Sequence, residues 1–439
     1  MGKKFRDWDV DQMWLLPPSV KELVPEGHPA HFVRELVRRE LNLREILEVY
    51  REERGYPPYH PVMMTALLLY TYTQGIYSSR RIARACQERV DYMAVTAQQT
   101  PDFRTINEFR SRHLKALDGL FGQVLTMCNR AGLVKLGHVS LDGTKVQANA
   151  SKHKAMSYER MCSEEKRLRE VVRGWFAEAE RIDAEEDKLY GKDKRGDEMP
   201  SWVSDAKERS RRLKEAREAL EREAREEAEK LAEKEPDEIG SREREVRRTG
   251  KPPQKAQRNF TDPDSRIMRT AGTYMQGYNC QAAVDAESQV IVARGVGNRQ
   301  NDAEQLIPML DQIRRNLKRQ AKELSADAGY CSVRNLKELS RRRIRGFIAT
   351  GRQKHRSSSP EAVRRWQSPW ILQMTSRLRR GGFRSRYRLR KQVVEPVFGQ
   401  IKECLGFRRM LLRGLESVRG EWSLVCMAHN LRKLWAVTA

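Results

Sequence analysis

Three acids in this chain stand where a carboxylate can do more than face water. Asp327 follows a short apolar strand, Glu323-Leu-Ser-Ala, and precedes Gly329, which lets the backbone turn sharply. An acid at a strand's C-terminal edge, with glycine behind it, suits a metal ion or a phosphate, although an Asp ahead of a Gly is also a common turn. Asp142 lies in a stretch of period two. There Val139 and Leu141 point one way, so Ser140, Asp142 and Thr144 point the other. Glu395 and Lys402 are seven residues apart, on one helix face away from the apolar stripe of Val394, Val397, Ile401 and Leu405. Each acid alone has an ordinary explanation. Together, on three elements, they read as one site.

The elements that must position these acids follow from the patterning. A strand runs from Gly137 through Asp142. Two helical tracts, roughly 157–189 and 204–234, flank a polar link at Gly191–Pro200. Leu168, Val171, Val172, Trp175, Phe176 and Ile182 stripe the first, and Leu213, Ala216, Leu220, Ala224 and Leu231 the second. The rest of both tracts is dense in charge, as a solvated helical hairpin or coiled coil requires. Strands then resume: Tyr278 to Val284, a polar turn at Asp285–Ser288, and Val290 to Val296. Asn301-Asp302 opens a helix, the Asp327 strand follows, then a helix from Val333 and a strand from Ile344 to Thr350. Without the insertion the order is β-β-β-α-β-α-β-α. The expected class is α/β, an RNase H-like core with a mixed sheet flanked by helices, a helical N-terminal domain and an inserted helical hairpin. The expected domains are 1–133, the core from 134–151 and 256–439, and the insertion 152–255. Helices are expected from Val393 and from Leu415 to about Trp435, Pro396 either starting or kinking the first of them.

Composition bounds the partners. With 85 Lys and Arg against 60 Asp and Glu the net charge is +25, which makes a polyanion the first partner to consider. Seven scattered cysteines without a C-x-x-C pair point to reduced thiols rather than a disulfide framework or zinc module. No apolar signal core follows Met1, and the longest apolar run, Val62 to Tyr72, is too short to span a bilayer. A soluble, cytosolic protein is expected. In the N-terminal region a helix from Val62 to about Gly75 and a second, capped by Ser78-Ser79 and ending near Arg89, turn Arg80, Arg81 and Arg84 outward. This pair is compatible with a helix-turn-helix DNA reader and equally with a plain helical hairpin. A third helix carries Thr105 and Glu108 at capping-box spacing. Residues 351–391 read as poorly structured and basic. Eight cations (377, 379, 380, 384, 386, 388, 390 and 391) flank Phe383 and Tyr387, a composition that can follow a phosphate backbone and stack on bases.

These residues resemble the DDE transposases of bacterial insertion sequences, with an InsH-like N-terminal domain, over nearly the whole chain. The blocks that carry the resemblance are Tyr59-His-Pro-Val62, Pro101-Asp-Phe-Arg-Thr-Ile106 with Phe109-Arg110, Leu141-Asp-Gly-Thr144 and Ala148-Asn-Ala-Ser-Lys-His153. They continue in Thr261–Ser265, Gly277–Asp285, Asn301-Asp302, Ala326–Tyr330, Val394–Gly399 and Ala428-His-Asn-Leu431. The resemblance implies that Asp142, Asp327 and Glu395 bind two Mg²⁺ ions, replaceable by Mn²⁺ and about 4 Å apart, with Asp142 bridging them. It also implies double-stranded DNA ends and target as substrate, and a homodimer in the synaptic complex. Related transposases place Tyr and Arg seven and four residues before the Glu, and Lys seven after it. Lys402 fits. Tyr387 and Arg390 keep their mutual spacing but lie one residue early, about 100° around a helix, and Arg388 and Lys391 hold the expected positions. With Arg384 and Arg386 these complete the expected DNA contacts.

Other readings explain less. A DNA-binding regulator accounts for the charge and the helical domain but not for three acids in matched settings. A domesticated, inactive relative is expected to have lost an acid, and none is missing. A structural coiled coil explains only the insertion. The eight histidines show no ligand spacing beyond His28 and His31, which flank Pro-Ala and read as a loop.

Overall fold

The computed structural model describes residues 19–50, 58–190, 201–232, 241–270, 273–299, 302–350, 368–381 and 385–438. Two compact units emerge: residues 1–134 with 403–406 and 423–439, and residues 135–402 with 407–422.

Among its described residues the first unit is helical. It contains α1 (Pro29–Arg39), α2 (Arg44–Leu47), α3 (Pro61–Thr73), α4 (Ser79–Glu88), α5 (Val90–Thr96), α6 (Phe103–Arg112) and α7 (Leu114–Arg130), closed by residues 423–438 of the final helix. Helix α3 is its axis. Leu67, Leu68, Leu69 and Tyr70 are all buried, as befits a helix apolar on every side, and α1 and α5 pack on it. The hydroxyls of Thr65, Thr71 and Thr73 are buried there too, and each donates to a carbonyl of the same helix, of Pro61, Leu68 and Tyr70. Helix α6 starts one turn earlier than the capping-box spacing predicts. Asp102 is the cap, accepting from Arg104 N at 2.7 Å and Thr105 N at 3.1 Å, whereas Glu108 pairs with Arg112. His28 and His31 are not a loop pair. His28 caps α1 and His31 lies within it.

The second unit is built on a mixed six-stranded sheet. At its centre β1 (His138–Gln147) runs antiparallel to β5 (Thr273–Asp285) and parallel to β7 (Glu323–Ala326). Strand β8 (Arg345–Ile348) extends the parallel side, while β4 (Arg266–Thr270) and β6 (Ile291–Gly297) pair with successive stretches of β5. Helix α11 (Leu306–Leu317) packs on β6, α12 (Val333–Arg341) and α13 (Pro369–Gly381) on β8, and α14 (Leu389–Gly399) on β1 and β5. This is the expected RNase H-like fold. The close pairing of β1 and β5 depends on Gly277, where a Cβ would meet the carbonyl oxygen of Val146 at 2.7 Å. The final helix, α15 (Leu415–Thr438), starts where Asp264 accepts from Leu415 N at 2.8 Å and Asp262 from Gly414 N at 3.1 Å. The Thr261–Ser265 block is thus a helix-start device.

Three features differ from the sequence reading. Strand β4, rich in arginine, and the short pair β2 (Ala155–Ser157) and β3 (Gln257–Asn259) are strands that no apolar alternation marks. Residues 369–381, read as poorly structured, form α13, which buries Ile371 and Met374. Phe383 and Arg384, with residues 191–200, lie outside the described residues.

Between β2 and β3 run α8 (Tyr158–Tyr190), α9 (Ser201–Ala232) and a short α10 (Ser241–Thr249). Met161 and Leu168 of α8 bury against Leu213, Ala216 and Leu220 of α9, with Val171 left exposed. The pairing also carries a buried acid, Glu165, held by Arg169 and by Arg217 at 2.8 Å. Acids of α9 then reach beyond the hairpin: Glu223 pairs with Arg258 of β3 and with Arg266 of β4 in the six-stranded sheet, and Glu227 with Arg299 just after β6.

Candidate active site

Strand register decides where the first two acids go. Leu141 of β1 is the partner of Ala326, the last residue of β7, so Asp142 and Asp327 follow side by side where the two parallel strands end their pairing. Asp327 also shapes the turn after it, accepting from Gly329 N at 2.8 Å. Asp142 is enclosed, with 13% of its side chain exposed, and it accepts from Arg390 Nη1 at 2.6 Å. Burial pushes its carboxyl up to about 6, and the nearby Asp327 and Asp302 push the same way, against the pull of Arg390.

The third acid comes on α14, and Pro396 does not begin that helix. It sits inside it, where it cannot donate to the carbonyl of Gln392. That orphaned oxygen accepts instead from Gln289 Nε2 at 3.1 Å. The helix therefore continues, then widens over residues 400–404. Glu395 is exposed, and Arg390 Nη2 approaches it at 3.2 Å. Arg390 thus bridges Asp142 and Glu395, while its Nε is buried without a partner among the described residues. The one-residue offset from the related spacing does not keep this side chain from the acids, because a long guanidinium reaches across the angular difference. Lys402 Nζ donates to Lys145 O of β1 at 3.0 Å.

A fourth acid joins them, which the sequence reading placed at a helix start and in a block of the resemblance but gave no chemical role. Asp302 Oδ1 accepts from Asn279 Nδ2 and Gln281 Nε2, both at 2.7 Å. The buried Tyr330 hydroxyl donates in turn to Gln281 Oε1. Burial raises the Asp302 carboxyl, its two amide donors lower it, and Asp327 raises it again, for a net upward shift. The sequence signals available were the Asn301-Asp302 block itself and the way Asn279 and Gln281 interrupt an apolar strand at alternate positions.

Among the described residues, no group of three His, Cys, Asp or Glu side chains is gathered closely enough to hold a metal ion, and Arg390 lies between two of the acids. The donor set nonetheless fits a hard divalent cation. It consists of carboxylate oxygens, one of them enclosed and destabilised by its acidic neighbours. Glycine leaves room beside them. A Cβ at Gly143 would lie 2.9 Å from Asp302 Oδ1, and one at Gly329 would lie 3.0 Å from both Asp302 Oδ2 and Asp327 Oδ1.

The expected DNA contacts scatter over both units. In the first, Arg80, Arg81 and Arg84 are exposed on α4; Arg80 lies over the Phe103 ring and Arg84 pairs with Glu88. In the second, Arg386 pairs with Glu323 at 3.2 Å, Tyr387 is half-buried, and Arg388 and Lys391 are exposed. Among the described residues no disulfide joins any of the seven cysteines. Among the described residues no helix is long and apolar enough to cross a membrane.

Comparison with known families supplies what geometry cannot. Residues 18–112 match the family described as Transposase domain (DUF772), and residues 245–431 match Transposase DDE domain. The second match contains Asp302, Asp327 and Glu395, while Asp142 lies outside both. No curated protein and no solved structure matches the chain. The two matches, in this order on an RNase H-like sheet, make the identification: the chain belongs to the DDE transposases of insertion sequences.

Proposed function

We propose that this transposase binds the terminal inverted repeats of its own element, cuts the DNA strands there and joins them to a target. The helical region 1–133 would read the ends, the core formed by 134–151 and 256–439 would perform the chemistry, and the insertion 152–255 would be accessory. The observation that carries the reading is the meeting of Asp142 and Asp327 at neighbouring strand ends, with Glu395 linked to Asp142 through Arg390.

Transposases of this family use divalent metal ions. Asp142, Asp327 and Glu395 would hold Mg²⁺, with Mn²⁺ as substitute; when bound, the cations activate the attacking oxygen and stabilise the leaving one. The chain's own groups do the rest. Arg390 pairs with Asp142 and Glu395, and turning away from them would free its guanidinium for a phosphate. Lys402, anchored beside β1, offers a second cation to the DNA backbone, and the exposed Arg388 and Lys391 extend that path. Arg384, Arg386 and Tyr387 belong to the same proposed path, and Arg80, Arg81 and Arg84 to the end-reading region. Two copies would act together, one on each end. The test is cleavage of DNA carrying the sequences that flank the gene. Mg²⁺-dependent nicking at the element ends supports the reading; absence of nicking with both Mg²⁺ and Mn²⁺, by protein that still binds the ends, overturns it.

A further inference from the structure

An aspartate just ahead of a helix usually serves as its cap. Asp302 does not. Its backbone carbonyl accepts from Gln305 N at 2.9 Å, but its carboxylate turns away from α11 towards the sheet. There two amides from alternate residues of β5, and so from one face of that strand, donate to the same oxygen, Oδ1. One of these amides is itself fixed by the buried Tyr330 hydroxyl. Such a pair of donors sets the rotation of the carboxylate and leaves Oδ2 on the side of Asp327. Glycine at 329 keeps the space between Oδ2 and Asp327 Oδ1 clear, since a Cβ would sit 3.0 Å from each.

We infer that Asp302 is a further ligand of the divalent cation held by Asp327, so that four carboxylates rather than three serve the site. The strand pairing makes Asp327 its partner. Gly143 faces Gln281, while Asp142 faces Ala282, so the amides that hold Asp302 belong to the sheet face opposite Asp142. Asp302 therefore approaches the strand ends from the side that Arg390 and Glu395 do not occupy. An oriented carboxylate with one oxygen tied by amides is how proteins fix a metal ligand whose other oxygen binds.

The inference rests on the function proposed above, and the two can fail separately. Mn²⁺ binding to the full-length chain, without DNA, is measured by titration calorimetry and by the loss of the free-ion paramagnetic resonance signal. Asp302→Asn keeps the shape and the oxygen that Asn279 and Gln281 address, and replaces only Oδ2. It is expected to weaken Mn²⁺ binding by about 10- to 100-fold, with far-ultraviolet circular dichroism unchanged and the metal-free melting temperature equal or higher. Asp302→Ser, which removes the carboxylate altogether, should weaken binding at least as much. Wild-type Mn²⁺ affinity in either folded variant, with binding lost in Asp142→Asn, overturns the role of Asp302 alone. If the wild-type chain takes up no Mn²⁺, the metal reading of the whole site falls, and this inference with it. If both Asp302 variants fail to fold, the residue is structural and the inference is overturned.

Discussion

The acids of the proposed site are delivered in two ways. Asp142 and Asp327 come from the sheet, where ladder register and neighbouring strands fix the backbone on both sides. Glu395 comes from α14, which buries Val393, Val394 and Val397 and takes one hydrogen bond, at Gln392 O, from the turn between β5 and β6. The consequence shows in exposure: 13% of the Asp142 side chain against 45% of Glu395. A sheet bears the cost of bringing like charges together at folding and keeps their geometry. A helix resting on one face can slide or rotate for much less, since it breaks no interstrand hydrogen bonds. The site thus pairs a rigid half with an adjustable half, joined by the Arg390 guanidinium.

The largest effects test whether both halves act as one unit. Asp142→Asn and Asp327→Asn are each expected to reduce end cleavage by about 10³-fold or more, and Glu395→Gln comparably, with no further loss on combination. DNA binding should survive in all three. Should Glu395→Gln cleave normally while the two aspartate variants are dead, the helix-borne half does not belong to the site.

Stability should separate the halves even without activity. In Gly277→Ala the new methyl meets the backbone oxygen of Val146 at 2.7 Å, and neither strand can move without disturbing the β1–β5 ladder. A loss of about 1–3 kcal/mol is expected, read by thermal or urea unfolding. Gly399, at the end of α14, has nothing within 4 Å of an added Cβ. Gly399→Ala should therefore be neutral or stabilise by about 0.5–1 kcal/mol. Equal destabilisation by the two would remove the mechanical contrast.

The rigid half was the more legible in the sequence. Val139 and Leu141 betray the strand and the side to which Asp142 points, and the run Glu323–Ala326 before Gly329 marks the second strand end. Both signals are local. The adjustable half was not local. The reach of Arg390 to Asp142 spans distant parts of the chain, and helical phase alone placed it off target because phase ignores the length of a guanidinium. Asp302 was hidden for a similar reason. Its meaning lies in Asn279 and Gln281 on another element, and the local pattern showed only a helix about to begin. Strand β4 was missed because Arg266 and Arg269 break the apolar alternation; their strand is held by pairing with β5 and, for Arg266, by Glu223 of the insertion. Removing the insertion between residues 157 and 234 would thus strip Arg258 and Arg266 of that acid. The core should then lose stability while keeping its circular dichroism, and full unfolding would make the hairpin part of the core.

The smallest expected effect lies where the two halves share an acid. Glu323, at the start of β7, has its Oε2 3.4 Å from His138 Nδ1 and 3.2 Å from Arg386 Nε, and Arg386 belongs to the segment leading into α14. His138 Nε2 lies 2.9 Å from Ser325 Oγ, which is 2.9 Å from Ser140 Oγ. Burial holds the imidazole below its ordinary value and Arg386 adds to that, outweighing the upward pull of Glu323 and Asp285. The folded protein therefore favours neutral His138 more than the unfolded chain does. Stability is complete above the unfolded value, about 6.5. As pH falls below it the unfolded state takes up the proton first, so stability declines until the folded pKa is passed, then levels. The slope from one such group cannot exceed about 1.4 kcal/mol per pH unit. Melting temperatures of the wild type between pH 7 and 5 should fall more steeply than those of His138→Gln, whose side chain cannot charge. Parallel curves would mean that His138 keeps its ordinary affinity for a proton, and that Glu323 holds Arg386 without help from a neutral neighbour.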